Sequence, residues 1–193
     1  MSGGGAAGAF AHAPAASAAS IAIRYTGRMT LKDGLLTEFD HEMGTTRKLM
    51  VRVPQDAAKL AWRPHPKSMS LGGICTHLAN LPRWGETILN EGSFDLETTP
   101  TRAEELTSRA AVLALFDETT EKTRAALART DAELVAPWSL RRGGQEMFTM
   151  PRVAAFRTFV LYHTVHHRGQ LSVYLRLNDI PVPAMYGPTA DES

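Results

Sequence analysis

Thiol chemistry is almost absent from this 193-residue sequence, which contains a single cysteine, Cys75. One thiol excludes an intrachain disulfide framework and any zinc or iron–sulfur site built from several thiolates. It is typical of a reducing compartment, so we expect a cytoplasmic protein. Long apolar runs are also missing. No stretch approaches the roughly 20 apolar residues of a membrane-spanning helix, and we expect no membrane partner.

A surplus of charge of one sign is absent as well. The 21 Lys and Arg residues face 20 Asp and Glu residues, which leaves a formal net charge of +1. Binding to nucleic acid through many phosphates requires Lys and Arg concentrated on one face, so the composition argues against such a partner. The length favours one globular domain with a sizeable core.

The first residues are rich in Gly, Ala and Ser and carry no charge before Arg24. They match neither the basic start and compact apolar run of a secretory signal nor the scattered Arg of a transit peptide. We expect residues 1–28 to be a disordered leader, or the product of a misplaced start codon. A single domain is predicted over 29–193.

Apolar residues recur every three to four positions from Leu31 onward, which predicts a first amphipathic helix that ends before Pro54. Ser70 is the expected N-cap of a second helix that extends to about Asn90. Pro82 lies inside that helix. Because proline removes a backbone donor and crowds the preceding turn, we expect a kink there.

Two further helices complete the pattern. Thr101 and Glu104 match a capping box, which predicts a third helix that ends near Arg129. The last helix is predicted from Pro151 to about Asn178. A short irregular or hairpin insertion over the Gly143–Gly144 turn precedes it. The predicted fold is therefore an all-α four-helix bundle.

The last helix carries a pair of histidines, His163 and His167, at i and i+4. On a helical projection they lie about 40° apart, at the centre of the apolar stripe, whereas His166 lies about 60° to the other side, at its edge. On the second helix, His77 projects within about 60° of four apolar residues. These are Ile74, Leu81, Trp84 and Ile88. Three imidazoles from two helices are thus predicted to point inward.

Buried imidazoles without partners are costly, and one divalent cation would satisfy all three. A histidine pair on one helix with a third from a neighbour suits Zn, Ni, Mn or Fe and leaves a position for water or substrate. The pair alone is a weak signal, because core histidines have the same spacing; His77 strengthens it. Thr164 follows His163, so the HExxH protease pattern is absent.

Other polar residues have less defined roles. Cys75 lies about 200° around the helix from His77, so it is predicted to be a small buried residue and not a ligand. Glu42 is either an acceptor that orients a ligand histidine or a solvated carboxylate. Gln170, one turn beyond His167, is a candidate for a hydrogen bond to a ligand or a substrate. We assign no role to His12, His41 or His65.

Several segments together carry a family resemblance over residues 30–192: FDHEMGTTRKLMVRVP, LAWRPHPKSMSLGGICTHLANLPRW, HTVHHRGQLSVYLRLNDIPVP and the ending AMYGPTADE. They closely resemble the DinB/YfiT-like superfamily of bacterial four-helix-bundle proteins. The resemblance implies a divalent metal held by His77, His163 and His167. It also implies a homodimer and, for some members, transfer of a low-molecular-weight thiol or an isomerisation that uses one. It implies no role with DNA. The proline-containing tail is expected to pack across the bundle.

Two functions of different class follow. The leading hypothesis is a metal-dependent enzyme, a thiol transferase or hydrolase, acting on a small molecule. The alternative is a non-enzymatic, metal-binding structural homodimer. A third interpretation, in which the histidines are only core residues, predicts no stoichiometric metal.

Overall fold

The computed structural model describes residues 29–99 and 103–192, and within them four long helical segments form the bundle. The segments are α1 (Leu31–Met50); α3 (Leu71–Asn80) followed by α4 (Pro82–Asn90); α5 (Arg109–Ala126); and α7 (Arg152–Phe156) continued by a π-helical segment (Arg157–Tyr162) and α8 (His163–Leu177). Two short helices, α2 (Ala57–Leu60) and α6 (Asp131–Val135), lie in the connections. The predicted bundle is confirmed. The predicted leader, residues 1–28, lies outside the described residues.

Helix α1 begins and ends where its sequence predicts. Thr30 and Asp33 form a reciprocal capping box, and the helix ends at Met50, ahead of Pro54. Its inner face buries apolar side chains at helical spacing, among them Leu35 and Phe39. Its outer face is tied to the bundle by three two-pronged arginine–carboxylate pairs: Arg47–Asp117, Arg124–Asp40 and Arg157–Glu38.

The second segment is interrupted at Pro82, where a kink was predicted, although Leu81 keeps right-handed helical angles (φ −56°, ψ −41°). Ser70 caps α3 as predicted, accepting a hydrogen bond from the Gly73 amide. Leu81 then separates α3 from α4, because proline lacks the amide hydrogen that would continue the backbone ladder. Hydroxyl groups of α5 reach into the break: Thr119 donates to the Ala79 carbonyl at 2.7 Å, and Thr123 donates to the Pro82 carbonyl.

Helix α5 begins later than predicted. Its N-cap is Ser108, whose hydroxyl accepts from the Ala111 amide at 3.2 Å, and not Thr101, which lies outside the described residues. The preceding residues are held against α3 instead. The Leu106 amide donates to the Thr76 hydroxyl at 2.9 Å, which competes with helical pairing. The Thr101–Glu104 capping box is therefore wrong as the start of this helix.

The insertion before the last helix is a β-hairpin, as predicted. Strand β2 (Pro137–Arg142) pairs antiparallel with β3 (Gln145–Pro151). The turn residues Gly143 and Gly144 have φ angles of 57° and 78°, a backbone region that glycine adopts without strain. A third strand, β1 (Ser93–Asp95), pairs parallel with β2 and was not predicted. A strand of three residues is too short to show the alternation of apolar and polar residues by which strands are predicted.

The tail after α8 packs across the bundle, as expected. Asp191 pairs with Arg176 of α8 and accepts from the Val182 amide at 2.8 Å. Glu192 pairs with Arg52, which follows α1, and accepts from the Ala184 amide. Within residues 29–99 and 103–192, no helix combines the length and the apolarity that crossing a membrane requires.

Candidate metal site

Three histidines predicted as ligands meet where α3 packs against α8. His163 is the first residue of α8, His167 lies one turn later, and His77 projects from α3. The Nε2 atom of His163 lies 3.3 Å from Nε2 of His77 and 2.9 Å from Nε2 of His167. One nitrogen from each ring lies within 4.8 Å of the others. The tertiary fold thus brings together side chains from two distant segments.

The cluster lies at the edge of the buried face of α8. The buried residues of this helix are Thr164, His167, Arg168, Leu171 and Leu175. This face is centred about 60° from His167, which is 9% exposed, while His163 and His77 are half-buried. The prediction that the histidine pair occupies the centre of the stripe is therefore wrong. Arg168 belongs to the buried face, with its side chain 1% exposed.

Oxygen atoms lie on the outer side of two rings. His167 Nδ1 is 2.7 Å from Gln170 Oε1, and an amide oxygen only accepts. In the neutral His167 ring, therefore, Nδ1 carries the proton and Nε2 carries a lone pair directed into the cluster. The backbone carbonyl of Phe159, in the π-helical segment, acts on the His163 ring and raises its pKa, which opposes the effect of burial.

The lone pair on His167 Nε2 points at Nε2 of His163, 2.9 Å away, where a hydrogen on His163 or a bound cation would satisfy it. The pKa of His163 is lowered by burial and then by the neighbouring His167 and His166. Burial also lowers the pKa of His167, although the bond to Gln170 opposes this. Nitrogens that bind one tetrahedral Zn²⁺ at 2.0–2.1 Å are about 3.3 Å apart. The donor type and the observed spacing both fit a divalent cation.

A cavity of about 520 Å³ borders the cluster at His77. Its walls combine apolar side chains and polar groups from α3, α4 and the segment before α5: Met69, Gly73, Thr76, Asn80, Trp84, Ala103 and Glu105. Its volume suits a small molecule. A molecule bound there would lie beside the three imidazoles.

Comparison with known proteins agrees with this fold. A family model described as the DinB superfamily matches residues 22–171. The chain belongs to this superfamily. No curated protein matches it.

Two solved structures resemble the DinB superfamily chain along nearly their whole length. A DinB-like protein from Bacillus cereus ATCC 10987 is 22% identical in sequence, with a TM-score of 0.62. The match covers 81% of this chain and 98% of the Bacillus cereus protein. A DinB-like protein from Bacillus subtilis, YjoA, is 20% identical in sequence, with a TM-score of 0.63. The match covers 80% of this chain and 99% of YjoA. At these identities the likeness shows the shared fold.

Glu42 of this DinB superfamily protein has partners other than the histidines. Its carboxylate accepts from the Tyr186 hydroxyl at 2.7 Å and pairs with Arg168 at 2.6 Å. Arg168 also donates to the Glu42 carbonyl and to the Thr46 hydroxyl, each at 3.1 Å. Glu42 therefore holds Arg168, which joins α8 to α1 and the tail. Sequence reasoning missed Arg168, although its position about 20° from Leu175 and about 40° from Thr164 on the projection was a signal.

The remaining predicted residues are distributed as follows. Gln170 contacts His167, as described above. Cys75 is fully buried, and burial raises the pKa of its thiol to about 12. His41, His65 and His166 are exposed, and His12 lies outside the described residues. Among the described residues, the group with metal-ligand spacing is the three-histidine cluster.

Proposed function

We propose that this DinB superfamily protein binds one divalent transition metal through Nε2 of His77, His163 and His167. The convergence of ring nitrogens at 2.9 and 3.3 Å carries the proposal. It is supported by the acceptor at Gln170, which directs the lone pair of His167 inward. Imidazole accepts Zn, Ni, Mn and Fe, and cellular availability decides among them.

We further propose that the loaded protein is an enzyme that acts on a small molecule, by thiol transfer or by hydrolysis. A divalent cation held by three imidazoles lowers the pKa of a bound thiol or water toward neutrality. The chain itself supplies a cavity of about 520 Å³ next to His77. Trp84 and Met69 provide apolar walls, while Asn80 provides an amide for a polar group of the substrate.

The alternative is a structural metal in a non-enzymatic homodimer. It is favoured by the position of the cluster, because His77 and His163 are 86 residues apart and a shared ion would cross-link α3 to α8. Both functions predict stoichiometric metal. The homodimer and the cytoplasmic location remain predictions in either case.

Elemental analysis of the purified protein tests the shared part of the two functions. We expect one equivalent of metal per chain in the wild type and in His65→Ala, which removes an exposed imidazole. We expect none in His163→Ala. A wild-type protein without metal, which also fails to take up Zn²⁺, Ni²⁺, Mn²⁺ or Fe²⁺, would refute the proposal.

Turnover separates the two functions. The metal-loaded protein is incubated with low-molecular-weight thiols and an electrophilic acceptor, and in parallel with hydrolysable esters and amides. Turnover that is lost in folded His163→Ala and retained in His65→Ala supports the enzyme. If chelation unfolds the protein and no substrate turns over, the structural role is correct.

A further inference from the structure

His166 is exposed and takes no part in the three-histidine cluster, yet a hydrogen-bond chain connects it to the cluster. Its Nε2 atom lies 3.1 Å from Nε2 of Gln170. On the other side of that amide, Oε1 lies 2.7 Å from Nδ1 of His167. His166 and His167 are adjacent in α8 and Gln170 lies one turn later, so the helix backbone fixes their spacing.

The orientation of the Gln170 amide decides which His167 nitrogen carries the proton. With the oxygen toward His167, Nδ1 donates and Nε2 keeps its lone pair. With the amide reversed, the NH₂ group faces His167, so Nδ1 must accept and the proton moves to Nε2. That tautomer directs a hydrogen into the cluster and blocks the nitrogen as a ligand.

The orientation of this amide is coupled to His166. In the structure the Gln170 NH₂ group faces Nε2 of His166, which accepts when the His166 proton is on Nδ1, whereas a reversed amide would need a hydrogen on His166 Nε2. We propose that His166 is a positioning residue: acting through Gln170, it holds the His167 proton at Nδ1 and keeps Nε2 available to the cluster. The consequence for metal affinity rests on the function proposed above, whereas the tautomer does not.

The tautomer is measured on the metal-free protein by NMR of ¹⁵N-labelled histidine, at about pH 8, where histidine is neutral. We expect His167 to be protonated at Nδ1 in the wild type. In His166→Phe, which keeps a planar ring without an acceptor, we expect a mixture of both tautomers. His166→Glu, whose carboxylate accepts in place of the imidazole and cannot donate, should restore the wild-type spectrum. His65→Phe is the matched control. An unchanged His167 spectrum in His166→Phe would overturn the proposal.

Metal affinity provides the second measurement, by competition between the protein and a chelator for Zn²⁺. Loss of outer hydrogen-bond partners weakens metal binding about 10–100-fold, and we expect this for Gln170→Leu. His166→Phe should weaken binding less, by about 3–10-fold, because Gln170 still adopts the productive orientation part of the time.

Repeating the His166→Phe substitution in the Gln170→Glu variant shows whether His166 acts through the side-chain amide of Gln170. Glutamate at position 170 presents an oxygen in either orientation, so in Gln170→Glu we expect His166→Phe to change the affinity less than about twofold. An equal loss in both backgrounds would contradict the relay. If the wild type binds no Zn²⁺, the proposed function fails, whereas the NMR result still decides on the tautomer.

Discussion

His167 and Arg168 are adjacent residues of α8, but they belong to two regions whose buried polar groups have different kinds of partners. Arg168 lies among complementary groups: the Glu42 carboxylate and carbonyl, the Thr46 hydroxyl and the Tyr186 hydroxyl. On the other side, Nε2 of His167 lies 2.9 Å from Nε2 of His163. The arginine region is satisfied by the chain itself, and its role is therefore structural. The histidine region gathers groups of the same kind, and this arrangement fits an added cation.

The largest effect on stability is expected at the arginine region. Replacing Arg168 with Met leaves the Glu42 carboxylate, largely buried, without its counter-charge. We expect the free energy of unfolding in urea to fall by about 3–5 kcal/mol. Lys122→Met breaks the exposed Lys122–Glu118 pair and serves as the control, with an expected change below about 0.5 kcal/mol. Equal effects would show that Arg168 is not a structural anchor.

At the histidine region we expect a change in metal affinity and not in the stability of the metal-free protein. His163→Ala removes one ligand and should weaken Zn²⁺ binding by more than the roughly 100-fold upper range for outer partners. Without metal, the variant should be as stable as the wild type or more stable, because the close contact between ring nitrogens of the same kind is removed. Chelator competition and urea unfolding measure the two quantities. A large loss of metal-free stability would place His163 in the same class as Arg168.

The two regions should also differ in their response to pH. Because the folded state lowers the pKa of His163 and of His167 below 6.5, the unfolded chain binds more protons just below that value. Stability of the metal-free protein should therefore rise with pH up to about 6.5 and then level off. It should fall in acid. Urea unfolding between about pH 5 and 7 should show a shallower slope in the His163→Ala/His167→Ala double variant. An identical slope would contradict this assignment.

The smallest effect is expected where the tail meets the arginine region. Tyr186→Phe removes a hydroxyl that donates to Glu42 and accepts from Arg168, while the ring remains over the guanidinium group at 4.9 Å. We expect a loss of about 1 kcal/mol in unfolding free energy and no change in Zn²⁺ affinity. A marked loss of metal affinity would mean that the two regions are coupled through α8.

Much of the fold was readable because it depends on local signals. Apolar spacing, the Ser70 cap and the two glycines of the hairpin turn each act within a few residues, and the structure has them where predicted. The start of α5 and strand β1 were missed for the opposite reason. The first depends on hydrogen bonds between Thr76 and the chain 30 residues later, and the second on pairing with β2.

For the candidate site, the sequence by itself determined which residues take part: an i, i+4 histidine pair and a third histidine on another inward face. Helical periodicity is enough for this, because it follows from the backbone alone. Only the tertiary structure decided how the site is arranged. It buried Arg168 by supplying Glu42 from α1 and so turned the histidine pair toward α3. It also aligned Gln170 between His166 and His167, because rotamers and proton positions depend on neighbours in space.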